Sequence, residues 1–133
     1  MPKINVAFFR EADGQAPVAN WLRDLMKTNE KAWAHCRARI EMLAQFGHEL
    51  RRPAADYLRD DIYELRAKQG HVQCRILYFF HERQVAILAH SLTKEDTIPP
   101  VEIERAINRK KLFESNRNRK GTDRAARLRE AGR

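Results

Sequence analysis

The sequence predicts an α+β fold in which two N-terminal helices pack on a mainly antiparallel sheet of four or five strands. Apolar residues recur at helical spacing between residues 17 and 46, whereas residues 62–92 form short apolar or alternating runs joined by polar loops. The chain has 133 residues, 43% of them hydrophobic, which suffices for one domain with one core. A C-terminal helix and a basic tail complete the prediction, with a domain at 1–114 and a flexible tail at 115–133.

Turn and capping residues define the N-terminal elements. In residues 3–9, Ile4, Val6 and Phe8 recur at every second position and share one side, which predicts a first strand. Pro17 suits the first turn of a helix, and Thr28 or Asn29 can cap a second helix that ends at Gly47. The second helix carries one apolar stripe, formed by Trp33, Cys36, Ile40, Leu43 and Phe46.

The remainder of the predicted domain is a sheet followed by a helix. Further strands are predicted at 55–58, 62–67, 72–80 and 85–92, with Asp60 and Asp61 in a turn. Two prolines, Pro99 and Pro100, end the sheet and open a final helix over 101–113.

Short loops fix the register of the antiparallel strands. The predicted pairs are Ala67–Val72, Glu64–Arg75, Phe80–Val85 and Arg75–His90. One face of the sheet is then apolar and lies under the two helices; it carries Tyr63, Leu65, Val72, Cys74, Ile76, Tyr78, Phe80, Val85, Ile87 and Ala89. The opposite face carries Glu64, Arg66, Gln73, Arg75 and His90, together with Ile62, Leu77, Phe79 and Leu88.

The charged side chains on the second face have two interpretations. Glu64 and Arg75 can form a simple cross-strand ion pair, which contributes about 0.2–1 kcal/mol, with His90 as a bystander. Alternatively, cations and an imidazole beside apolar residues form a site for a phosphate, because the apolar residues lower the local dielectric constant.

The distribution of charge limits where a nucleic acid can bind. The net charge is +8, and the segment from Arg109 to Arg133 contains ten Lys/Arg and only three Asp/Glu. The rest of the chain is therefore close to neutral, so a nucleic-acid site there must be a local cluster.

Metal, membrane and export signals are weak in this sequence. The histidines and cysteines show no metal-binding spacing, so no metal or other cofactor is expected. The longest apolar run, Ile76–Phe80, is too short to cross a membrane. Cys36 and Cys74 lie far apart and no export signal is evident, which predicts reduced core thiols in a cytoplasmic protein.

The combination of sequence motifs in the strands and the C-terminal helix resembles that of a known protein family. The strand block "YELR…CRILYFF…ILAHSLTK", followed by "EIERA", resembles HigB-like toxins of the RelE/ParE superfamily, in particular their phage-derived branch, over residues 3–112. The resemblance implies a RelE-like fold and the toxin of a type II toxin–antitoxin system. It also implies a ribosome-dependent mRNA endonuclease, in which a 2′-hydroxyl attacks the adjacent phosphate without a metal. The implied partners are mRNA, the ribosome and a cognate antitoxin, a helix-turn-helix protein of the HigA type.

The resemblance also implies roles for individual residues. The expected catalytic residues are Arg66, Arg75, His90 and Lys94, with His90 as the candidate for proton transfer. The expected contacts to RNA backbone are Arg51, Arg52, Arg59 and Lys68 in the domain, and Arg117, Arg119 and Lys120 in the tail.

The chain also departs from the family pattern. RelE-type enzymes carry a further arginine and a tyrosine after the lysine, whereas Lys94 is followed here by Glu95 and Asp96 with no tyrosine. Two other functions therefore stay open. One is a ParE-like poison of DNA gyrase, and the other is a non-catalytic RNA- or protein-binding module of the same fold.

Overall fold

The computed structural model describes residues 3–93 and 97–120, with side chains up to Asn116. Within these residues the chain forms a five-stranded sheet with two helices on one face and a third on the other. The elements are β1 (Asn5–Phe8), α1 (Pro17–Thr28), α2 (Glu30–Phe46), a 3₁₀ turn (Gly47–Glu49), β2 (Ala55–Arg59), β3 (Ile62–Gln69), β4 (Val72–His81), β5 (Val85–Thr93) and α3 (Pro100–Lys120). The predicted fold class is confirmed.

The sheet has the strand order β1-β5-β4-β3-β2, and only the pair of β1 with β5 is parallel. Two-residue loops join β2 to β3 and β3 to β4. Asp60 and Asp61 both adopt positive φ angles, 52° and 63°, and Gly70 has a φ of 62°. Such angles turn the chain tightly enough to connect adjacent antiparallel strands.

The register of β3 with β4 differs from the prediction. The predicted pairs of Glu64 with Arg75 and of Ala67 with Val72 are wrong, because Arg66 pairs with Arg75 and Gln69 pairs with Val72. The turn lies at Gly70 and His71, which shifts the pairing by two residues. A shift of two residues leaves every side chain on its predicted face.

The register of β5 contains a bulge that the sequence did not predict. Val85 pairs with His81, not Phe80, and the register shifts between Leu77 and Tyr78 so that Ala89 is the extra residue. Arg75 consequently lies opposite Leu92, and its predicted pairing with His90 is wrong.

The pairing of Val85 with His81 moves β5 by one residue and so reverses the predicted faces of its first half. Val85, Ile87 and Ala89 pack in the cluster with α3, whereas Leu88 packs in the cluster with α1 and α2, the opposite of the predicted arrangement. The bulge moves the register by one further residue, so His90 lies on the second face, as predicted, and α3 covers that face.

The helices on the first face begin and end at the predicted signals. Pro17 opens α1, the Asn29 side chain accepts a hydrogen bond from the Ala32 N–H at the start of α2, and Gly47 ends α2 with a φ of 53°. The core under these helices includes Cys36 and Cys74 as buried free thiols.

The second core lies between the sheet and α3. Ile62, Leu77, Phe79 and Ile87 are fully buried there, against a helix face that includes Phe113. Helix α3 continues to Lys120, past the predicted end at residue 113, and residues 121–133 of the predicted tail lie outside the described residues. No helix within the described ranges is both long and apolar enough to cross a membrane.

Candidate functional site

An open groove lies on the α3 face of the sheet, between strands β2–β4 and the start of α3. Its volume is about 440 Å³. The residues that line it are Arg52, Asp56, Leu58, Glu64, Arg66, Arg75, Thr97, Ile98 and Ile103. Three arginines and two carboxylates therefore meet beside an apolar wall.

Arg75 and Glu64 form a buried ion pair in the wall of this groove. The Arg75 Nη1 donates to Glu64 Oε1 at 2.7 Å, and the two side chains are only 8% and 5% exposed. The contact is diagonal across β3 and β4, because Glu64 itself lies opposite Leu77. The ion pair that the sequence suggested is present, with a different backbone pairing beneath it.

Arg52 and Asp56 form a second ion pair at the rim of the groove. The Nε and Nη2 atoms of Arg52 donate to Asp56 Oδ2 at 2.9 and 2.7 Å. The other oxygen, Oδ1, accepts a hydrogen bond from the backbone N–H of Tyr57 at 3.0 Å. The hydrogen bond from Arg52 is the main cause that lowers the pKa of Asp56, so this carboxylate is ionised at neutral pH.

Arg66 also lines the groove, and its side chain is available to bind a ligand. Its guanidinium has no hydrogen bond or ion pair within the described part of the chain. Its backbone is held firmly, since its N–H donates to the carbonyl of Ala54 and its carbonyl accepts from Arg39. The positive charge of Arg66 also contributes to the lowered pKa of Asp56. A bound anion would find in Arg66 an available partner.

His90 belongs to a separate cluster that attaches α3 to the sheet. Its Nε2 contacts Glu102 Oε1, and its Nδ1 lies 3.2 Å from Nη1 of Arg109. Arg109 also donates to the Ala89 carbonyl at 2.7 Å and lies 3.4 Å from the Glu11 carboxylate.

The partners of His90 define its protonation. Arg109 can only donate, so Nδ1 is the acceptor and the proton resides on Nε2, where it faces Glu102. Burial lowers the pKa of His90, although the hydrogen bond with Glu102 opposes this effect. His90 is therefore a neutral imidazole with both nitrogens engaged, and it does not line the groove.

The remaining predicted residues are dispersed. Arg51 donates to the carbonyls of two nearby residues, and Arg59 pairs with Asp60 and Glu104 outside the groove. Lys68 is exposed and follows Arg66 by two residues on β3, so it shares the same face. Lys94 and the side chains of Arg117, Arg119 and Lys120 lie outside the described residues.

The sequence prediction missed several residues that complete the two clusters. Asp56, Leu58, Ile98 and Ile103 line the groove, while Glu102 and Arg109 hold His90. The spacing of Arg52 and Asp56, four residues apart, and the "EIERA" motif were available signals for two of these contacts. Among the described residues no three His, Cys, Asp or Glu side chains converge in a way that could hold a metal ion.

Comparison with protein families identifies the chain. The model described as "Phage derived protein Gp49-like (DUF891)" matches residues 20–111, which include all the residues that line the groove as well as His90 and Arg109. The chain belongs to this family. The Gp49-like family is RelE-like and toxin-like, so the predicted superfamily is confirmed at this level. A search of curated proteins gives no significant match.

Proposed function

We propose that this Gp49-like protein is the toxin of a type II toxin–antitoxin system and cleaves mRNA on the ribosome. The proposal includes a HigB-like activity, a cytoplasmic location and a cognate antitoxin of the helix-turn-helix HigA type. The observation that carries it is the uncommitted guanidinium of Arg66 in a groove beside the buried pair of Arg75 and Glu64.

The arginines and carboxylates of the groove support metal-independent RNA cleavage. The attacking 2′-hydroxyl loses a proton and forms a bond to phosphorus, and the bond from phosphorus to the 5′-oxygen of the next nucleotide breaks. This leaving oxygen takes up a proton from water in the open groove. Negative charge develops on the phosphate, and Arg66 would stabilise it, with Arg75 behind it. The apolar side chains of Leu58, Ile98 and Ile103 would strengthen this interaction by lowering the local dielectric constant.

A carboxylate of the groove is the proposed base. Glu64 uses one oxygen to bind Arg75, and its second oxygen accepts no hydrogen bond within the described residues. It would therefore take the 2′-proton, provided that the bound RNA comes within hydrogen-bond reach. Proton transfer by His90 stays a prediction, because it requires the imidazole to release Glu102 or Arg109. The predicted role of Lys94 likewise stays a prediction.

The test of this function is substitution of Arg66. Arg66→Ala is expected to lower transcript cleavage on translating ribosomes by about 10²–10³-fold, the typical cost of removing one donor to a developing negative charge. Arg37→Ala is the matched control, because Arg37 forms an exposed ion pair with Glu41 on α2, on the other side of the sheet. The control should cleave like the wild type. Undiminished cleavage by a folded Arg66→Ala protein would remove the groove from the mechanism.

One observation favours a second candidate function, a ParE-like poison of DNA gyrase. Both nitrogens of His90 are engaged by α3, so the groove receives no imidazole for proton transfer. Purified protein that inhibits gyrase supercoiling while transcripts stay intact would establish this alternative. Inhibition of neither process would indicate a non-catalytic binding module.

A further inference from the structure

The rim of the groove contains an arginine whose orientation is fixed by a carboxylate. The Arg52 side chain is 73% exposed, yet two of its three nitrogens donate to the same oxygen, Asp56 Oδ2. Long exposed side chains normally sample many rotamers, and an arginine loses much of that freedom when it is held. Asp56 therefore restricts Arg52 before any ligand arrives.

Asp56 is itself held by the backbone of its own strand. Its Oδ1 accepts from the N–H of Tyr57, and only 25% of the Asp56 side chain is exposed. The carboxylate is thus attached at one oxygen and presents the other to Arg52. The chain of contacts runs from the backbone of β2 through Asp56 to the guanidinium at the rim.

The guanidinium of Arg52 keeps a free donor for a ligand. Its Nη1 makes no hydrogen bond within the described residues, while Nε and Nη2 face Asp56. Arg66 lines the same groove, and its positive charge contributes to the lowered pKa of Asp56. Two separate cations along a groove match two separate phosphates of one strand.

On the basis of the function proposed above, we propose that Arg52 binds a second phosphate of the RNA while Arg66 binds the scissile one. Asp56 is the positioning residue that holds Arg52 for this contact. The substrate class is then single-stranded RNA with at least two consecutive phosphates in the groove, and a dinucleotide with one phosphate is not recognised by Arg52.

The experiment compares two non-cleavable probes in direct binding to the purified protein. The probes are a 2′-O-methyl uridine dinucleotide, with one phosphate, and the trinucleotide, with two. The wild type is expected to bind the trinucleotide at least tenfold more tightly. Arg52→Ala should reduce this ratio to near one, and it should make the salt dependence of trinucleotide binding shallower by about 0.7 in the log–log slope, which corresponds to one lost phosphate contact on a single strand.

Asp56→Asn separates positioning from simple repulsion. If Asp56 only repels RNA, its neutralisation should tighten binding of both probes equally. If it positions Arg52, the ratio should fall towards that of Arg52→Ala, and the double variant should resemble Arg52→Ala alone. Glu41→Gln, which removes the acid of the exposed pair with Arg37, is the control and should leave the ratio unchanged.

The outcomes distinguish the inference from the proposed function. An absent trinucleotide preference in the wild type, or a preference that survives in Arg52→Ala, overturns the role of Arg52. Equal tightening of both probes by Asp56→Asn overturns the positioning role. In either case the Arg66→Ala cleavage test still decides the function independently, because it does not depend on the second phosphate.

Discussion

Burial of the Arg75–Glu64 ion pair raises the stability cost of substituting either residue alone. Both side chains are almost fully buried, so loss of one partner leaves an uncompensated charge in a region of low dielectric constant. Arg75→Ala is therefore expected to lower the free energy of unfolding by about 3–5 kcal/mol, the usual cost of breaking a buried ion pair from one side. Urea denaturation of the purified variant measures this quantity.

A double variant is the control for this prediction. Glu64→Leu combined with Arg75→Met removes both charges and should recover most of the lost stability. A stable Arg75→Ala protein would show that the Glu64 charge is solvated despite its burial. If the expected loss is found, reduced toxicity of Arg75→Ala reports folding as well as phosphate binding, and Arg66 is the cleaner catalytic probe.

At the scale of elements, His90 and Arg109 join β5 to α3. The Nδ1 atom accepts from Arg109, so protonation of His90 would place two donors against each other. Burial lowers the pKa of His90 in the folded protein, whereas an unfolded histidine titrates near 6.5. The unfolded chain therefore binds this proton more readily than the folded chain does.

The sign of the pH dependence follows directly. The contribution of His90 is fully present above about pH 6.5, and it is lost as the pH falls from that value towards the lowered folded pKa. His90→Gln, which keeps a donor for Glu102, should flatten the decline in stability between neutral pH and pH 5. His35→Gln is the control, because His35 is exposed on α2, and it should decline like the wild type. Parallel declines of all three proteins in urea titrations would contradict the role of His90.

The strands also show what could be predicted from the sequence and what could not. The faces of β3 and β4 were predictable because alternation fixes them, and a two-residue error in the turn does not change them. The bulge at Ala89 leaves no comparable signal, since Ala fits either face of a strand. His90 was assigned to the correct face because two errors cancel there. The turn shifts the register by one residue, and the bulge shifts it by one more.

The groove depends on contacts between elements that are distant in sequence. Arg66 and Arg75 could be identified as unusual because charged residues interrupt apolar strands. Ile98 and Ile103 could not be assigned to the same site, because their position depends on how α3 packs on the sheet. The partners of His90 were missed for the same reason.

At the scale of the whole molecule, most of the surplus charge lies at the C-terminus. Residues 117–133 contain seven Lys/Arg and two acidic residues, whereas Phe113, the last fully buried residue of α3 among the side chains that the structure describes, precedes them. Truncation after Asn116 should therefore preserve the fold and the antitoxin contact. If the protein acts on the ribosome as proposed, the truncation should weaken that binding and make its salt dependence shallower, because phosphate contacts release counterions.

A full-length variant with the seven basic residues changed to Gln distinguishes charge from length. Co-sedimentation with ribosomes over a salt series should give the same shallow slope for this variant and for the truncated protein. If both variants give the same salt slope as the wild type, the tail does not contact ribosomal phosphates and serves only solubility.

The exposed edge of β2 has a consequence for how other chains can approach the protein. Two N–H groups of β2 are occupied by partners outside the neighbouring strand, that of Ala55 by the carbonyl of Arg51 and that of Tyr57 by the Asp56 carboxylate. Free edge strands invite another strand to add and so promote aggregation. Here two of these donors are already used, so self-pairing along the first half of β2 is disfavoured. An antitoxin that covers this edge is expected to bind through side chains or a helix, not by extending the sheet.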